Sequence, residues 1–265
     1  MKDHSDAKQD KRMKLLVTRP REDGLATAAV LHKMRIKTIL EPLYRIEPVQ
    51  DIPALGGPYQ GLIFTSRNGA KAFARLFGIP ELPCYCVGDQ TAYTARELGF
   101  YPVHSANGNA QDLIAMIEQK CNRDDGPLFR AAGDYDQDIL TEPLRALSYQ
   151  VDAGVVYRAV PVARLQRSTV TGLLRQQIDG AVFFSPAASH HFKELVIQDN
   201  LTEICAQLEA FCISDAAARK LDGLPWRAVH VAEHPSQDSM LTLIEQAVAS
   251  HASRQHGIAV TETEL

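Results

Sequence analysis

The sequence predicts an α/β protein of two similar lobes, each a parallel sheet covered by helices, joined by a two-stranded connector. Three observations carry that reading. Apolar runs of strand length alternate with helix-spaced segments along the chain, the pattern of parallel strands linked through helices. A strand-to-helix turn occurs twice: Gly61-Leu62-Ile63-Phe64-Thr65-Ser66-Arg67-Asn68, leading into a helix with Phe73 and Leu76, returns as Gly180-Ala181-Val182-Phe183-Phe184-Ser185-Pro186, with Phe192 at the place of Phe73. Two stretches of alternating apolar and polar residues, 38–49 and 151–162, have the character of connectors; the first holds Pro42 and Pro48, which suit the edge of a sheet.

The repeat extends further. Residues 109–119 line up with 236–246, 44–48 with 157–161, and 16–19 more weakly with 127–130. Two halves facing each other across a cleft are expected, and clefts are where ligands bind.

Taken in order, residues 1–12 are charged and aperiodic and read as a disordered lead-in. A strand over 14–18 precedes a helix over 23–34, whose apolar side carries Leu25, Ala28, Ala29 and Leu31. After the first connector come strand 62–65, helix 69–76, strand 84–87, helix 91–98, strand 101–103, helix 110–121, strand 127–130 and helix 137–146. Beyond the second lie helix 167–177, strand 180–184, helices 189–198 and 201–208, strand 211–213, helix 216–221, strand 228–232 and helix 236–249, then a polar tail.

With 265 residues, 45% of them hydrophobic and 23% charged, the chain is long enough for two domains. A formal charge of −4 speaks against a nucleic-acid partner, which calls for a basic face. Five scattered cysteines indicate a reducing compartment, the cytoplasm by default, rather than a disulfide framework. Cys84 and Cys86 alternate along a strand pattern, with at most one expected to face the core. No apolar run reaches the roughly 18 residues of a membrane span, and no signal-peptide core follows Met1.

The motif at Thr65, Ser66 and Asn68 sets a strand end against a helix start. Such a turn offers unpaired N–H groups, hydroxyls and a positive dipole end to an anion. Alone, such a turn reads as a helix cap, with Ser66 or Asn68 capping, and it is the repeat that favours the anion site. Val87-Gly88-Asp89-Gln90-Thr91 is a second such turn, with Gly88 free to take positive φ and Thr91 able to cap or bind. Its counterpart, Ile213-Ser214-Asp215-Ala216-Ala217, has lost the Gly and the Thr, so two lobes contacting one ligand would do so unequally. No phosphate loop, dinucleotide fingerprint, nucleophile elbow or metal-binding His motif is present. His190, His191, His230 and His234 lack a ligand spacing, so neither a metal nor a cofactor is expected. Tyr157, in the second connector, packs as an amphipathic ring or, on a cleft, offers a proton to a departing group.

On Val17–Pro20, Thr65–Ala70, Val-Gly-x-x-Thr-Ala at 87–92, Leu-Phe-Arg at 128–130, Val-Tyr-Arg at 156–158, Phe-Ser-Pro at 184–186 and Pro-Ser-x-x-x-x-Leu at 235–241, the chain resembles the uroporphyrinogen-III synthase family over about residues 14–249. The resemblance implies that the first strand and helix belong with the C-terminal half; the residues alone would leave sequential halves. It places domain 1 at 13–41 with 162–250, domain 2 at 49–152, connectors at 42–48 and 153–161, and disordered tails at 1–12 and 251–265. It implies closure of hydroxymethylbilane, a linear tetrapyrrole, with inversion of its last ring. Loss of the terminal hydroxyl gives an azafulvene cation, the substituted carbon of ring D attacks to form a spiro intermediate, and this fragments and recloses.

By the same resemblance Tyr157 assists hydroxyl departure, Arg19 and Arg130 meet carboxylates, and Thr65, Ser66, Asn68, Gly88, Thr91, Ser185 and Ser214 supply donors. No cofactor is implied. The enzyme is expected to act as a monomer, with transient contact to the enzyme that makes hydroxymethylbilane. Where the family often has Gly-Pro-Thr-Thr, this chain has Ser214-Asp215-Ala216-Ala217, and Asp215 beside a polyanion is given no binding role. The alternative is a non-catalytic, two-lobed binding or regulatory protein of the same fold for an anionic ligand. A sugar-nucleotide transferase is disfavoured because no nucleotide site is recognisable.

Overall fold

The structure is a computed structural model and describes residues 12–50, 56–134 and 138–258. In chain order the elements are β1 (Lys14–Val17), α1 (Arg21–Lys33), β2 (Lys37–Leu40), β3 (Tyr44–Pro48), β4 (Gly61–Phe64), α2 (Arg67–Phe77), β5 (Cys84–Cys86), α3 (Asp89–Leu98), β6 (Val103–Ser105), α4 (Ala110–Lys120), β7 (Leu128–Gly133) and α5 (Thr141–Ala146). They continue with β8 (Val151–Pro161), α6 (Arg167–Leu174), β9 (Gly180–Phe183), α7 (Pro186–Gln198), a 3-10 turn (Thr202–Gln207), β10 (Glu209–Cys212), α8 (Asp215–Arg219), β11 (Ala228–Val231) and α9 (Gln237–Ile258).

The chain divides into two compact units, one built from residues up to Arg45 and from Pro161 onward, the other from Ile46–Val160. The first holds a sheet in the order β11-β10-β9-β1-β2, the second a sheet in the order β3-β8-β7-β4-β5-β6. Strands β1, β2, β9, β10 and β11 pair in parallel, as do β4 to β8. Setting β9 on β4 superposes the two orders strand by strand, β11-β10-β9-β1-β2 on β6-β5-β4-β7-β8. The units therefore share one topology, entered at different points by the chain.

Each sheet is apolar on both faces because helices cover both. In the first unit Phe183, Phe192 and Leu195 pack on one side, and Leu15, Val17, Leu31, Met240 and Ile244 on the other. In the second, Phe64, Phe73 and Phe100 form an edge-to-face aromatic cluster on one side, and Ile63, Leu113, Ile117 and Leu144 fill the other. The repeat seen in sequence is a packing repeat: Leu113 and Ile117 of α4 are buried as Met240 and Ile244 of α9 are.

Several expectations change. Cys84 and Cys86 are both buried in the same cluster, because residues two apart on a strand share a face. Helix α1 buries Gly24, Thr27 and Leu31, while Leu25 is exposed; a methyl group at Gly24 would lie 3.3 Å from the Arg19 carbonyl, so the smallest residue of the helix marks its contact with the sheet. Thr38 to Leu40 are not connector but part of the edge strand β2. Val151 to Tyr157 likewise form an inner strand, paired with β7. Strand 101–103 moves to Val103–Ser105, since Pro102 has no N–H and instead gives its carbonyl to Cys84. Gln176, at φ 54°, closes α6 earlier than expected. The 201–208 helix is a 3-10 turn, held by bonds from Ile204 N–H to Leu201 and from Leu208 N–H to Cys205.

Helix α9 runs on to Ile258. Residues 1–11 and 259–265, the bulk of the two tails expected to be disordered, lie outside the described residues, as do 135–137 at the start of the helix expected over 137–146. The weak match of Arg19 to Arg130 is out of register by two. Leu15 pairs with Gly180 and Leu128 with Gly61, so the topological counterpart of Arg130 is Val17 and that of Arg19 is Ala132.

Candidate active site

Strand β4 ends at Phe64 and α2 begins at Arg67, with Ser66 between them as N-cap. Ser66 is extended, φ −145° and ψ 155°, and its Oγ accepts from Gly69 N–H at 3.0 Å. Gly69 has a local reason to be glycine: a methyl group there would lie 3.0 Å from the Ala131 carbonyl. The first turn of α2 can thus sit directly on the C-terminal end of β7, which brings Ser66 beside β8.

There the Tyr157 hydroxyl lies 3.2 Å from Ser66 Oγ. The ring is 8% exposed, so a phenol is held largely out of water against a hydroxyl that itself caps a helix. A continuous polar chain results, from the N–H of Gly69 through Ser66 to Tyr157. Next to it, Thr65 Oγ1 is buried without a hydrogen-bond partner, and Asn68 is the second residue of α2. An unpaired buried hydroxyl costs about 1–3 kcal/mol and is an opening for a ligand group that can satisfy it.

The adjacent turn follows β5, where Val87 N–H donates to the Phe64 carbonyl. Gly88 is the N-cap of α3 at φ −137° and ψ 164°, an extended conformation open to any residue, so the positive φ expected of it is not present. No atom lies within 4 Å of where its Cβ would be. Neither backbone strain nor crowding accounts for this glycine. Thr91 is the third residue of α3 and 7% exposed, inside the first turn rather than capping it. Asp89 opens the helix and accepts from Ser105 Oγ at 2.7 Å.

Arg130 is mid-strand on β7 and 4% exposed. Its Nε donates to Thr141 Oγ1 at 3.1 Å, and its guanidinium lies 3.4 Å from Asp138. Burial pushes the Asp138 carboxyl up, but hydrogen bonds from the Thr141 hydroxyl and N–H, the Arg130 charge and the Leu140 N–H outweigh it. The net pKa is below the ordinary value. A carboxylate reaching Arg130 would have to displace Asp138.

The first unit carries its own row of strand-end groups. Ser185 caps α7, its Oγ accepting from Ala188 N–H at 3.1 Å, and Ser214 caps α8 through Ala217 N–H at 3.4 Å. Both are extended, as Ser66 is. Arg19 follows β1, its guanidinium stacked 4.4 Å over the Phe184 ring, donating to Thr27 and Gln237 at 3.3 and 3.2 Å and paired with Asp23 at 3.4 Å. Its side chain is 20% exposed. Glu41, missed in the sequence, is buried at the end of β2; desolvation raises its pKa, and both carboxylate oxygens accept from Gln166 N–H at the start of α6. Nothing in its local sequence sets it apart from a surface glutamate.

Ser66 and Tyr157 are thus brought together in one unit, with Thr65 at their side and Gly88 and Thr91 at the start of the helix that follows the next strand. Ser185, Ser214 and Arg19 line the strand ends of the other. Among the described residues no group of three or more His, Cys, Asp or Glu side chains could hold a metal ion, and no helix is long and apolar enough to cross a membrane.

Doubled parallel sheets whose strand ends present hydroxyls, helix N-terminal turns and a buried tyrosine define a class, the two-unit α/β proteins of one repeated topology. The family model described as uroporphyrinogen-III synthase HemD matches residues 26–242. The chain belongs to that family, the cyclising lyases of tetrapyrrole biosynthesis. Among solved structures, the uroporphyrinogen-III synthetase of Helicobacter pylori is similar at 18% identity and a TM-score of 0.57, over 89% of this chain and 99% of that one, a likeness of fold. A mutant uroporphyrinogen III synthase of Thermus thermophilus is 18% identical over 90% of this chain and 99% of that one, with a TM-score of 0.48. No curated protein sequence matches the chain.

Proposed function

We propose that the chain closes hydroxymethylbilane to uroporphyrinogen III and water, and that Tyr157 is the proton donor to the departing hydroxyl. The single observation that carries this assignment is the Tyr157 hydroxyl at 3.2 Å from Ser66 Oγ at the N-terminus of α2. With Ser66 donating to the phenol oxygen and accepting from Gly69, the tyrosine hydroxyl acts as the donor toward the substrate. The positive end of the helix dipole, relayed through Ser66, then favours the developing phenolate.

The proton goes to the terminal hydroxyl, its C–O bond breaks, water leaves, and the pyrrole nitrogen lone pair fills the gap as an azafulvene cation. The substituted carbon of ring D attacks that carbon to give the spiro intermediate. Fragmentation and reclosure at the free position, with loss of one proton, give the inverted macrocycle. Because the substrate also closes unaided to the uninverted isomer, the protein must direct the collapse, and a 100:1 preference needs about 2.7 kcal/mol between competing barriers.

Direction comes from holding the carboxylates. Arg67 and Asn68 at the start of α2 suit an anion better than the starts of α3 and α8, which carry Asp89 and Asp215. Thr65, Gly88 and Thr91 continue the donor row in that unit, and Arg19, Ser185 and Ser214 supply it in the other. Arg19, more exposed than Arg130, is the readier carboxylate partner of the two. Hand-over from the enzyme that makes hydroxymethylbilane is transient and the protein acts as a monomer, since the linear substrate has only to arrive before it closes by itself. All five cysteines are free, which fits a reducing cytoplasm.

The test is to generate hydroxymethylbilane in situ, add the purified protein without metal or nucleotide, oxidise, and separate the porphyrin isomers. Mostly type III is the expected result. Type I at the rate of the protein-free control, with folded protein, would remove the catalytic reading.

A further inference from the structure

We infer that Gly133 and Asp134 are positioning residues for Tyr157: Gly133 vacates the space in which the phenol lies, and Asp134 latches the strand that carries it. The inference deepens the proposed role of Tyr157 and rests on it for its catalytic consequence, though not for its geometry.

Strands β7 and β8 pair in parallel with one irregularity. Ala132 is opposite Val155 but Gly133 is opposite Tyr157, so β8 advances two residues while β7 advances one. This is a β-bulge at Val156, and bulges re-aim side chains. In a regular strand successive side chains point to opposite faces. Here Val156 and Tyr157 are both buried, in the same cluster. Without the bulge one of the two would face away and no phenol would reach Ser66.

The re-aimed ring then needs room. A methyl group on Gly133 would lie 2.6 Å from Tyr157 Cζ, 2.7 Å from its hydroxyl oxygen and 2.8 Å from Cε2, all far inside van der Waals contact. The three nearest atoms all belong to the tip of that one ring. Gly133 is outside the left-handed region, so a side chain there brings no backbone strain. Its lack of a Cβ makes room for the tyrosine. Asp134 completes the arrangement: its N–H donates to the Tyr157 carbonyl at 3.1 Å, and its Oδ1 accepts from Ala159 N–H at 3.1 Å. One residue thereby grips β8 at the tyrosine and two residues beyond it, where the bulge has interrupted regular pairing.

The experiment uses the full chain labelled with tyrosine carrying 13C at Cζ, the Tyr157 resonance being assigned by its loss in Tyr157→Phe. Gly133→Ala is expected to move that resonance, to lower kcat for type III formation about a hundredfold with KM little changed, as misplacement by about 1 Å does, and to add no further loss in the Tyr157→Phe background. Asp134→Ala is expected to shift the same resonance and lower kcat less, and Asp134→Asn, which keeps an acceptor for Ala159, to restore both. A Tyr157 resonance unmoved in Gly133→Ala overturns the inference whatever the rate. A moved resonance with unchanged rate and isomer ratio upholds the positioning and removes Tyr157 from the chemistry. Should Gly133→Ala fail to fold, the Asp134 pair decides by the same resonance: no shift in Asp134→Ala overturns the latch.

Discussion

Ser66 and Ser185 occupy the same turn in two units of one topology, with the same extended backbone and the same capping bond, yet only Ser66 has a tyrosine hydroxyl on its oxygen. The repeat partner of Tyr157 is Tyr44, and it too reaches the helix start of its own unit. Its hydroxyl donates to the Ala187 carbonyl at 3.2 Å, a group that takes its proton and leaves nothing to give. The divergence begins one strand earlier. Strand β8 runs unbroken for 11 residues through its bulge, whereas its counterpart β2 stops at Leu40 before Pro42, and Tyr44 belongs to the next strand. A duplicated turn thus differs in one contact: the capping serine of one copy meets a phenol and that of the other does not.

The sharpest way to break this comparison is the tyrosine pair. Tyr157→Phe is expected to lower the rate of type III formation about a hundredfold, the lower range for loss of a general acid, and to raise the share of type I. Tyr44→Phe should leave both within about twofold, since it removes one exposed hydrogen bond. Equal effects, read from the same isomer chromatography, would dissolve the distinction between the units.

The serine caps come next. Ser66→Ala, Ser185→Ala and Ser214→Ala each remove a cap worth about 1 kcal/mol, or about 2–4 °C in the melting midpoint. Only Ser66→Ala should also lower kcat, because only Ser66 polarises a phenol. Gly88→Ser tests the remaining turn from the other direction. Supplying the missing cap should stabilise α3 by a few tenths of a kcal/mol, about the Gly-to-Ser difference at an N-cap, while raising KM if substrate approaches there. An improved melt with unchanged KM would make Gly88 irrelevant to binding.

The smallest effect concerns Asp138. Its folded pKa is lowered, so it contributes stability above its unfolded value near 3.9, and that contribution is lost as pH falls through the folded pKa. Asp138→Asn should therefore be less stable than the parent at pH 7 and converge with it as pH falls below about 4, in urea midpoints measured across that range. Hydrogen exchange should place the acid sensitivity on β7 and not on β1, where Val17 stands in place of Arg130.

Much of this was legible in the residues. Alternation of apolar strands with amphipathic helices, and two copies of the Phe-Thr/Phe-Ser turn, are local patterns that a duplicated parallel-sheet protein must write into its sequence, because each strand buries two faces and each helix one. Family landmarks added the split of the chain and the roles of Tyr157 and the serines as expectations. Local pattern also misled where burial depends on what packs above. Leu25 looked like a core residue and is exposed, Gly24 and Thr27 looked incidental and are the contact, and two cysteines expected to part company share a face.

Periodicity and residue type at a turn are enough to specify the class of the fold, the internal repeat and the set of strand-end hydroxyls. Strand register settles the rest: which hydroxyl meets a phenol, that Arg130 pairs with Asp138, and that Gly133 lies against a ring carried by another strand. Those facts depend on register between strands distant in sequence. A single bulge of one residue changes which side chain faces which, and no local signal in either strand announces it.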